Sequence, residues 1–172
     1  MKYKVTGKQN NSGMCFVCGT NNALGTHATF YECENETGEQ VLLAVVDPKP
    51  EHQSYPNRMH GGVIAALLDE TIGRAQSIGK ENIWGVTIEL TTRFRKPVPL
   101  DQTIYIEGKI TGTNSRGFEG EGRILTADGT VCVTAAGKYL NVPIEKIAGT
   151  ELGDDDWFMV EEELPKEIVI NK

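Results

Sequence analysis

The sequence predicts an α+β fold, one antiparallel sheet with a single helix laid against it, and three observations point that way. Segments rich in β-branched and aliphatic residues come in two groups, a pair and then four in succession, with turn chemistry between them. Only one stretch of the body, from Val63 to about Ala75, is long, apolar and free of proline. The later segments alternate apolar and polar residues with the period of a strand that has one buried face.

In chain order, residues 28–34 and 40–47 form a first hairpin, since Asn35-Glu36-Thr37-Gly38-Glu39 between them has turn composition. A loop carrying Pro48, Pro50 and Pro56 leads into the helix. Four strands follow, over 84–96, 103–111, 117–126 and 130–141, with Asn114-Ser115 and Asp128-Gly129 as turns. Ile104, Ile106 and Ile110 fall on one face of their strand, opposite Thr103, Tyr105, Glu107 and Lys109. Residues 1–13 are polar, carry Lys2, Lys4 and Lys8, and are assigned no element.

A length of 172 residues suits one ordinary domain. The chain divides into a body, 1–142, which includes an N-terminal Cys-X-X-Cys segment, and an acidic tail, 143–172. From Glu151 onward eight acids face only Lys166 and Lys172, so most of the formal charge of -7 sits in the tail and the body is nearly neutral. A near-neutral body lacks the broad positive surface that nucleic acid or an anionic membrane requires. No segment approaches the roughly 20 apolar residues of a membrane span, so a soluble, cytoplasmic protein is expected. Trp157, Phe158, Met159, Val160 and Ile168-Val169-Ile170 are more apolar than a solvated tail needs, and the tail is expected to dock.

On a helical wheel Gly62, Ala65, Ala66, Asp69 and Gly73 share one narrow face, while Ile64, Leu67, Leu68 and Thr71 occupy the opposite side. Asp69 therefore lies in a lane of small residues that points away from the core of its own helix. The plainer reading makes Asp69 and Glu70 the solvent face of an amphipathic helix, with Arg74 as a weak ion partner. Against it, positions 61–68 carry no long polar side chain. Glu70 is the alternative carboxylate if the helical phase is off by one. Gly61 and Gly62 stand where unpaired N–H groups at a helix start can polarise a carbonyl, and glycine lets a ligand come close. A tight turn into a helix would use the same residues.

The string His60-Gly61-Gly62-Val63-Ile64-Ala65-Ala66-Leu67-Leu68-Asp69-Glu70 resembles the signature of the hotdog-fold thioesterases of the phenylacetate-pathway (PaaI-like) type. The likeness extends through Gly85-Val86-Thr87-Ile88-Glu89-Leu90, Phe94-Arg95-Lys96-Pro97-Val98 and Lys138-Tyr139-Leu140, and so covers roughly residues 15–142. It implies a sheet wrapped around one long central helix, a homodimer or dimer of dimers, and hydrolysis of acyl-CoA thioesters at the dimer interface, with no cofactor beyond the CoA of the substrate. By the same resemblance Asp69 is the catalytic carboxylate, as general base or nucleophile. Gly61 donates its N–H to the thioester carbonyl, His60 orients the site, and Thr87 positions water from the facing subunit. Related enzymes often carry an amide in the loop before His-Gly-Gly; here Ser54 stands near that place, and Asn57, three residues before His60, is the candidate substitute.

Arg93, Arg95 and Lys96 concentrate positive charge, and with Gly62 they are the candidate substrate-binding residues. Alternation puts Arg93 and Arg95 on one face with Thr87, Glu89 and Thr91, where guanidinium groups suit CoA phosphates or, equally, pair with acids such as Glu107. Cys15-Phe16-Val17-Cys18 is half of a zinc pattern that His27, Cys33 or a second subunit would have to complete, and the plainer reading is two buried thiols and no metal. Rival functions on the same fold are a non-catalytic acyl-CoA-binding or sensing protein, which would be expected to lack the acid, and a dehydratase, whose paired Asp and His are not visible.

Overall fold

A computed structural model of the chain describes residues 1–80, 83–149, 152–154 and 156–171. Of the tail charges, Glu151, Asp155 and Lys172 lie outside the described residues. The elements in order are β1 (Lys2–Lys8), β2 (Thr29–Glu34), β3 (Gln40–Val46), α1 (Gly61–Arg74), β4 (Gly85–Phe94), β5 (Ile104–Thr113), β6 (Gly117–Thr126), β7 (Val131–Asn141), α2 (Ile144–Ala148) and β8 (Glu167–Val169). All strand pairs are antiparallel and form one sheet in the order β4-β7-β6-β5-β3-β2-β1-β8.

The six expected strands and the helix are all present, and the hotdog arrangement of one long helix against a large antiparallel sheet is the architecture observed. The buried residues of α1 are Ile64, Leu67, Leu68, Thr71 and Ile72, the side the wheel assigned to the core. They pack with Leu42, Ala44, Ile106, Ile124 and Val133 of the sheet in the main hydrophobic cluster. The helix can lie this close because the strands beneath it are bare at Gly108 and Gly122. A Cβ on Gly108 would sit 2.8 Å from the Thr71 carbonyl oxygen, and one on Gly122 would sit 2.9 Å from Ile72.

The two ends of the chain depart from expectation. Residues 2–8 form β1, which pairs with β2, because Tyr3 and Val5 alternate with Lys2, Lys4 and Thr6. The lysines hid that alternation. β8 then adds to the edge of β1, Ile168 opposite Tyr3, and the amino terminus donates to the Ile170 carbonyl at 2.8 Å. On this far face of the sheet Tyr3, Cys33, Val41, Leu43, Leu125 and Ile170 make a second, smaller cluster. Beside it Glu107 accepts hydrogen bonds from the Tyr3 hydroxyl and from Arg123 Nη2 at 3.0 Å. Glu107 is therefore engaged by Arg123 and Tyr3, not by Arg93 or Arg95.

At the opposite end of the sheet β4 is an edge strand, exposed along nearly its whole length, and it leaves Val86 38%, Ile88 58% and Phe94 55% exposed. Its register against β7 shifts between Thr87, which faces Tyr139, and Glu89, which faces Lys138, so Ile88 is an extra residue in a bulge. The simple alternation read from the sequence breaks there. Thr87 belongs to the helix side of the sheet, whereas Glu89 turns away and its carboxylate pairs with Lys138 at 3.2 Å. Among the described residues no helix is long and apolar enough to cross a membrane.

Candidate active site

Asp69 lies past the middle of α1, in the lane of small residues. Thr87 Oγ1 donates to its Oδ1 at 2.8 Å, and the Tyr139 hydroxyl reaches the same oxygen at 3.2 Å and the Asp69 carbonyl oxygen at 3.1 Å. The bulge at Ile88 is what turns Thr87 toward the helix. Gly73, one turn beyond Asp69, leaves room for the Tyr139 ring, which would lie 3.2 Å from a Cβ at that position. The ring is buried and stacks on Phe118 with centroids 4.8 Å apart and planes 6° from parallel. Burial, reinforced by the Asp69 charge, pushes the Tyr139 phenol well above its ordinary range, so it stays a proton donor to the carboxylate.

Thr87 and Asp69 meet within one chain. The expectation that Thr87 comes from a facing subunit is corrected by that contact. The His60-Gly61-Gly62 turn lies elsewhere. His60 caps α1, its Nδ1 accepting from Gly62 N at 2.9 Å, and its own N–H donates to the His52 carbonyl at 2.8 Å. With Nδ1 accepting, a neutral ring carries its proton on Nε2. Gly61 is the first helical residue. Asp69 stands eight positions further along the helix, about 12 Å at 1.5 Å per residue. A single thioester carbonyl cannot touch both in one chain.

Glu70, the alternative carboxylate, is held by Arg74, whose Nε donates to Glu70 Oε1 at 2.7 Å. Arg74 also donates to the Asn10 carbonyl at 2.8 Å and reaches Cys18 Sγ at 3.0 Å. Asn57 does not reach Asp69. It sits at φ 53°, its Nδ2 donates to Asp101 Oδ2 at 2.9 Å, and its Oδ1 accepts from Leu100 N at 3.0 Å, so its amide shapes the loop before α1. Arg93, Arg95 and Lys96 are exposed at the end of β4, and none is in a salt bridge among the described residues. The bulge separates Arg93 from the face that Thr87 presents.

A cavity of about 770 Å³ opens beside Asp69 and Thr87, with Tyr139, Trp84, Trp157 and Met159 among its walls. Trp157 comes from the tail. It meets Trp84 edge-on, centroids 5.0 Å apart at 64°, and the Arg74 guanidinium lies 4.5 Å over its ring. Phe158 beside it exchanges backbone hydrogen bonds with Asn11 at 2.8 and 3.0 Å. Tyr139 and Trp157 are the residues sequence reasoning missed at this site. Tyr139 stood in a quoted motif, but nothing in a strand pattern says which helix residue its hydroxyl will meet.

The fold brings Cys15, Cys18 and Glu70 together, their sulfur and carboxylate atoms all within 4.8 Å of one another. The residues expected to complete a metal site are elsewhere. Cys33 is in the far-face cluster, and His27 hydrogen-bonds the Asn22 carbonyl at 2.7 Å.

Residues 57–133 match the sequence model of the thioesterase superfamily. A crystal structure of a thioesterase superfamily protein is 32% identical, with 73% of this chain and 59% of that one covered at a TM-score of 0.64. The Escherichia coli PaaI protein of the phenylacetic acid degradation operon shares the fold at 14% identity, with 59% of this chain and 72% of that one covered at a TM-score of 0.55. Among curated proteins, the acyl-coenzyme A thioesterase THEM4 of Xenopus laevis is 29% identical over 80 residues, 45% of this chain and 34% of that protein. This chain thus spans about a third of the length of the curated relative. The fold is the one these solved structures share, and residues 57–133 carry the sequence pattern of the thioesterase superfamily.

Proposed function

We propose that the chain hydrolyses acyl-CoA-type thioesters at a site assembled from two copies, and the observation that carries this is the Asp69 carboxylate held by Thr87 and Tyr139 on the wall of a cavity. The curated relative's name, an acyl-coenzyme A thioesterase, supports the substrate class. One chain supplies Asp69, Thr87 and Tyr139, and the other supplies His60 and Gly61. The helix spacing of about 12 Å supports that division, and the exposed β4 edge, with Val86, Ile88 and Phe94 uncovered, is the surface a second copy would cover.

Two donors converge on Asp69 Oδ1, so Oδ2 is the oxygen for the reaction. It can take a proton from water as that water adds to the carbonyl, or attack the carbonyl itself to give a mixed anhydride that water then opens. In either route the Gly61 N–H, at the positive end of α1, stabilises the oxyanion, while His60 fixes the turn that presents it. Arg93, Arg95 and Lys96, exposed and outside any salt bridge among the described residues, suit the phosphates of CoA.

A panel of acyl-CoA esters, with release of free thiol followed over time, tests this reading. Turnover of at least one ester, lost in Asp69→Asn, is expected. Tight binding of the same esters by the native chain without thiol release would instead favour an acyl-CoA-binding or sensing protein.

A further inference from the structure

The Cys15–Cys18 pair takes no part in the thioester chemistry, yet its surroundings are built. Residues 15–19 form a closed turn in which Gly19 N donates to the Cys15 carbonyl at 2.8 Å. Only glycine fits there, since a Cβ on residue 19 would lie 2.2 Å from that carbonyl oxygen. Inside the turn two backbone N–H groups, of Val17 at 3.3 Å and Cys18 at 3.5 Å, point at Cys15 Sγ. Cys15 is half-buried and Cys18 fully buried. The turn is closed in from outside by Arg74, whose guanidinium reaches Cys18 Sγ at 3.0 Å while holding Glu70.

This cluster also has a metal-like composition, but the guanidinium already supplies its cation. Glu70, the third ligating group within reach, is paired to Arg74 at 2.7 Å, and a divalent ion would have to displace that pair. The asymmetry of the two sulfurs fits a different chemistry. One sulfur is half-buried and accepts from two backbone N–H groups that favour its anion; the other is fully buried behind it. The neighbouring Cys18 thiol, together with those N–H groups, draws the Cys15 thiol below its ordinary range, and the pairing with Cys15 and burial raise Cys18 above it.

We infer that Cys15 and Cys18 are a redox-active dithiol, with Cys15 the attacking sulfur and Cys18 the resolving one, and that its co-substrate is a small-molecule disulfide. The Cys15 thiolate attacks one sulfur of that disulfide, the old S–S bond breaks, and the departing thiolate takes a proton from water. A mixed disulfide now sits on Cys15. Cys18 gives up its proton, for which Glu70 is the nearest base, and attacks the Cys15 sulfur, releasing the second small thiol. Two electrons have passed from the protein pair to the small disulfide, one disulfide has formed and one has broken. Arg74 favours the Cys18 thiolate at the moment of attack. Cys33 and Cys132 are buried in apolar clusters, burial pushes both thiols up, and they remain thiols.

The experiment equilibrates the full reduced chain in buffers of varied reduced and oxidised glutathione at neutral pH, then alkylates with a maleimide and maps the peptides by mass. The expected result is paired loss of alkylation at Cys15 and Cys18 with Cys33 and Cys132 unchanged, reversed by reductant. Cys18→Ser should accumulate a glutathione mixed disulfide on Cys15, and Cys15→Ser should accumulate none on Cys18. Full alkylation of both cysteines in excess oxidised glutathione would overturn the inference. So would retention of stoichiometric zinc that protects both thiols after dialysis of the native chain. Neither readout uses thioester hydrolysis, so the outcome is independent of the proposed activity.

Discussion

Thr87 Oγ1 and Asp69 Oδ1 are 2.8 Å apart within one chain, across the join between an edge strand and the central helix. The bulge at Ile88 makes the contact by turning Thr87 to the helix side. Asp69→Asn preserves the side chain's size and its lane between Gly73 and the small residues of α1 but removes the base. It should lower kcat by at least about a hundredfold, the lower range for losing a general acid–base group, with circular dichroism and oligomeric state unchanged. Near-normal thiol release by this variant would remove the central claim.

Tyr139→Phe separates the hydroxyl's contribution from that of the ring. The stacking on Phe118 and the contact with Gly73 survive, and only the donor to Asp69 is lost. A hydrogen bond to a charged group is worth about 1.5–3 kcal/mol, so a fall in kcat of about tenfold or more is expected. A change in thermal stability with unaltered kinetics would make Tyr139 a packing residue only.

How much of this was legible in the sequence depends on the range of the interaction that decides each feature. The face of α1 that is buried, Ile64 through Ile72, follows from local period and was readable. The pairing of β1 with β8, and the docking of Trp157 on Trp84, depend on contacts between the two ends of the chain that no local pattern carries. The Thr87 side was misread because one extra residue reverses every face beyond it, and Ile88 has no composition that marks a bulge. Asn57 has the type and spacing of a site residue, and its left-handed backbone and its bonds to Asp101 and Leu100, which shape the loop, are not announced by any local pattern.

Gly61→Pro tests whether the two halves of the site come from different copies. Proline is tolerated at the first helical position, and His60 before it is already extended at φ −65°, ψ 137°, so α1 should form. What disappears is the N–H. The variant should fold, dimerise and be inactive. Mixed with Asp69→Asn under conditions of subunit exchange, it should recover activity, because one site of each heterodimer then has an intact Asp69 and an intact Gly61. No recovery in verified heterodimers would place both groups in one chain.

The edge strand gives a separate test of assembly. Ile88→Asp puts a charge on the exposed bulge of β4 and leaves the buried core untouched. Light scattering should show a shift to monomer and the thiol-release assay should show loss of activity together with it. An active monomer would contradict the shared site.

The tail should respond to acid through Glu162. Lys8 Nζ lies 2.8 Å from its carboxylate, and that hydrogen bond chiefly, with a second from Tyr31, holds its pKa below the usual carboxylate range. A depressed folded pKa means that the stabilisation is present above the unfolded carboxylate value, near 4.3, and is lost as pH falls through the lower folded value. Tail docking should therefore weaken at acid pH before the body unfolds, visible as exposure of Trp157 in its fluorescence. Glu162→Gln should flatten that transition; an unchanged midpoint would assign it to another group.

Trp157 is where the tail meets the cavity, and its removal should change which acyl groups are hydrolysed more than how fast the best one reacts. The ring closes one wall of the space beside Asp69, wedged between Trp84 and the Arg74 guanidinium. Trp157→Ala leaves Asp69, Thr87 and Tyr139 in place and lengthens the cavity, which on the proposed function takes the acyl chain. An indole buries enough surface that losing a matched contact costs about 1–3 kcal/mol, or 10–200-fold in discrimination between acyl groups of different size. The ratio of kcat/KM for long over short acyl-CoA esters should rise in the variant, with kcat for short esters little changed. Equal losses for all chain lengths would mean that Trp157 supports the catalytic carboxylate through Arg74 and does not line the acyl pocket.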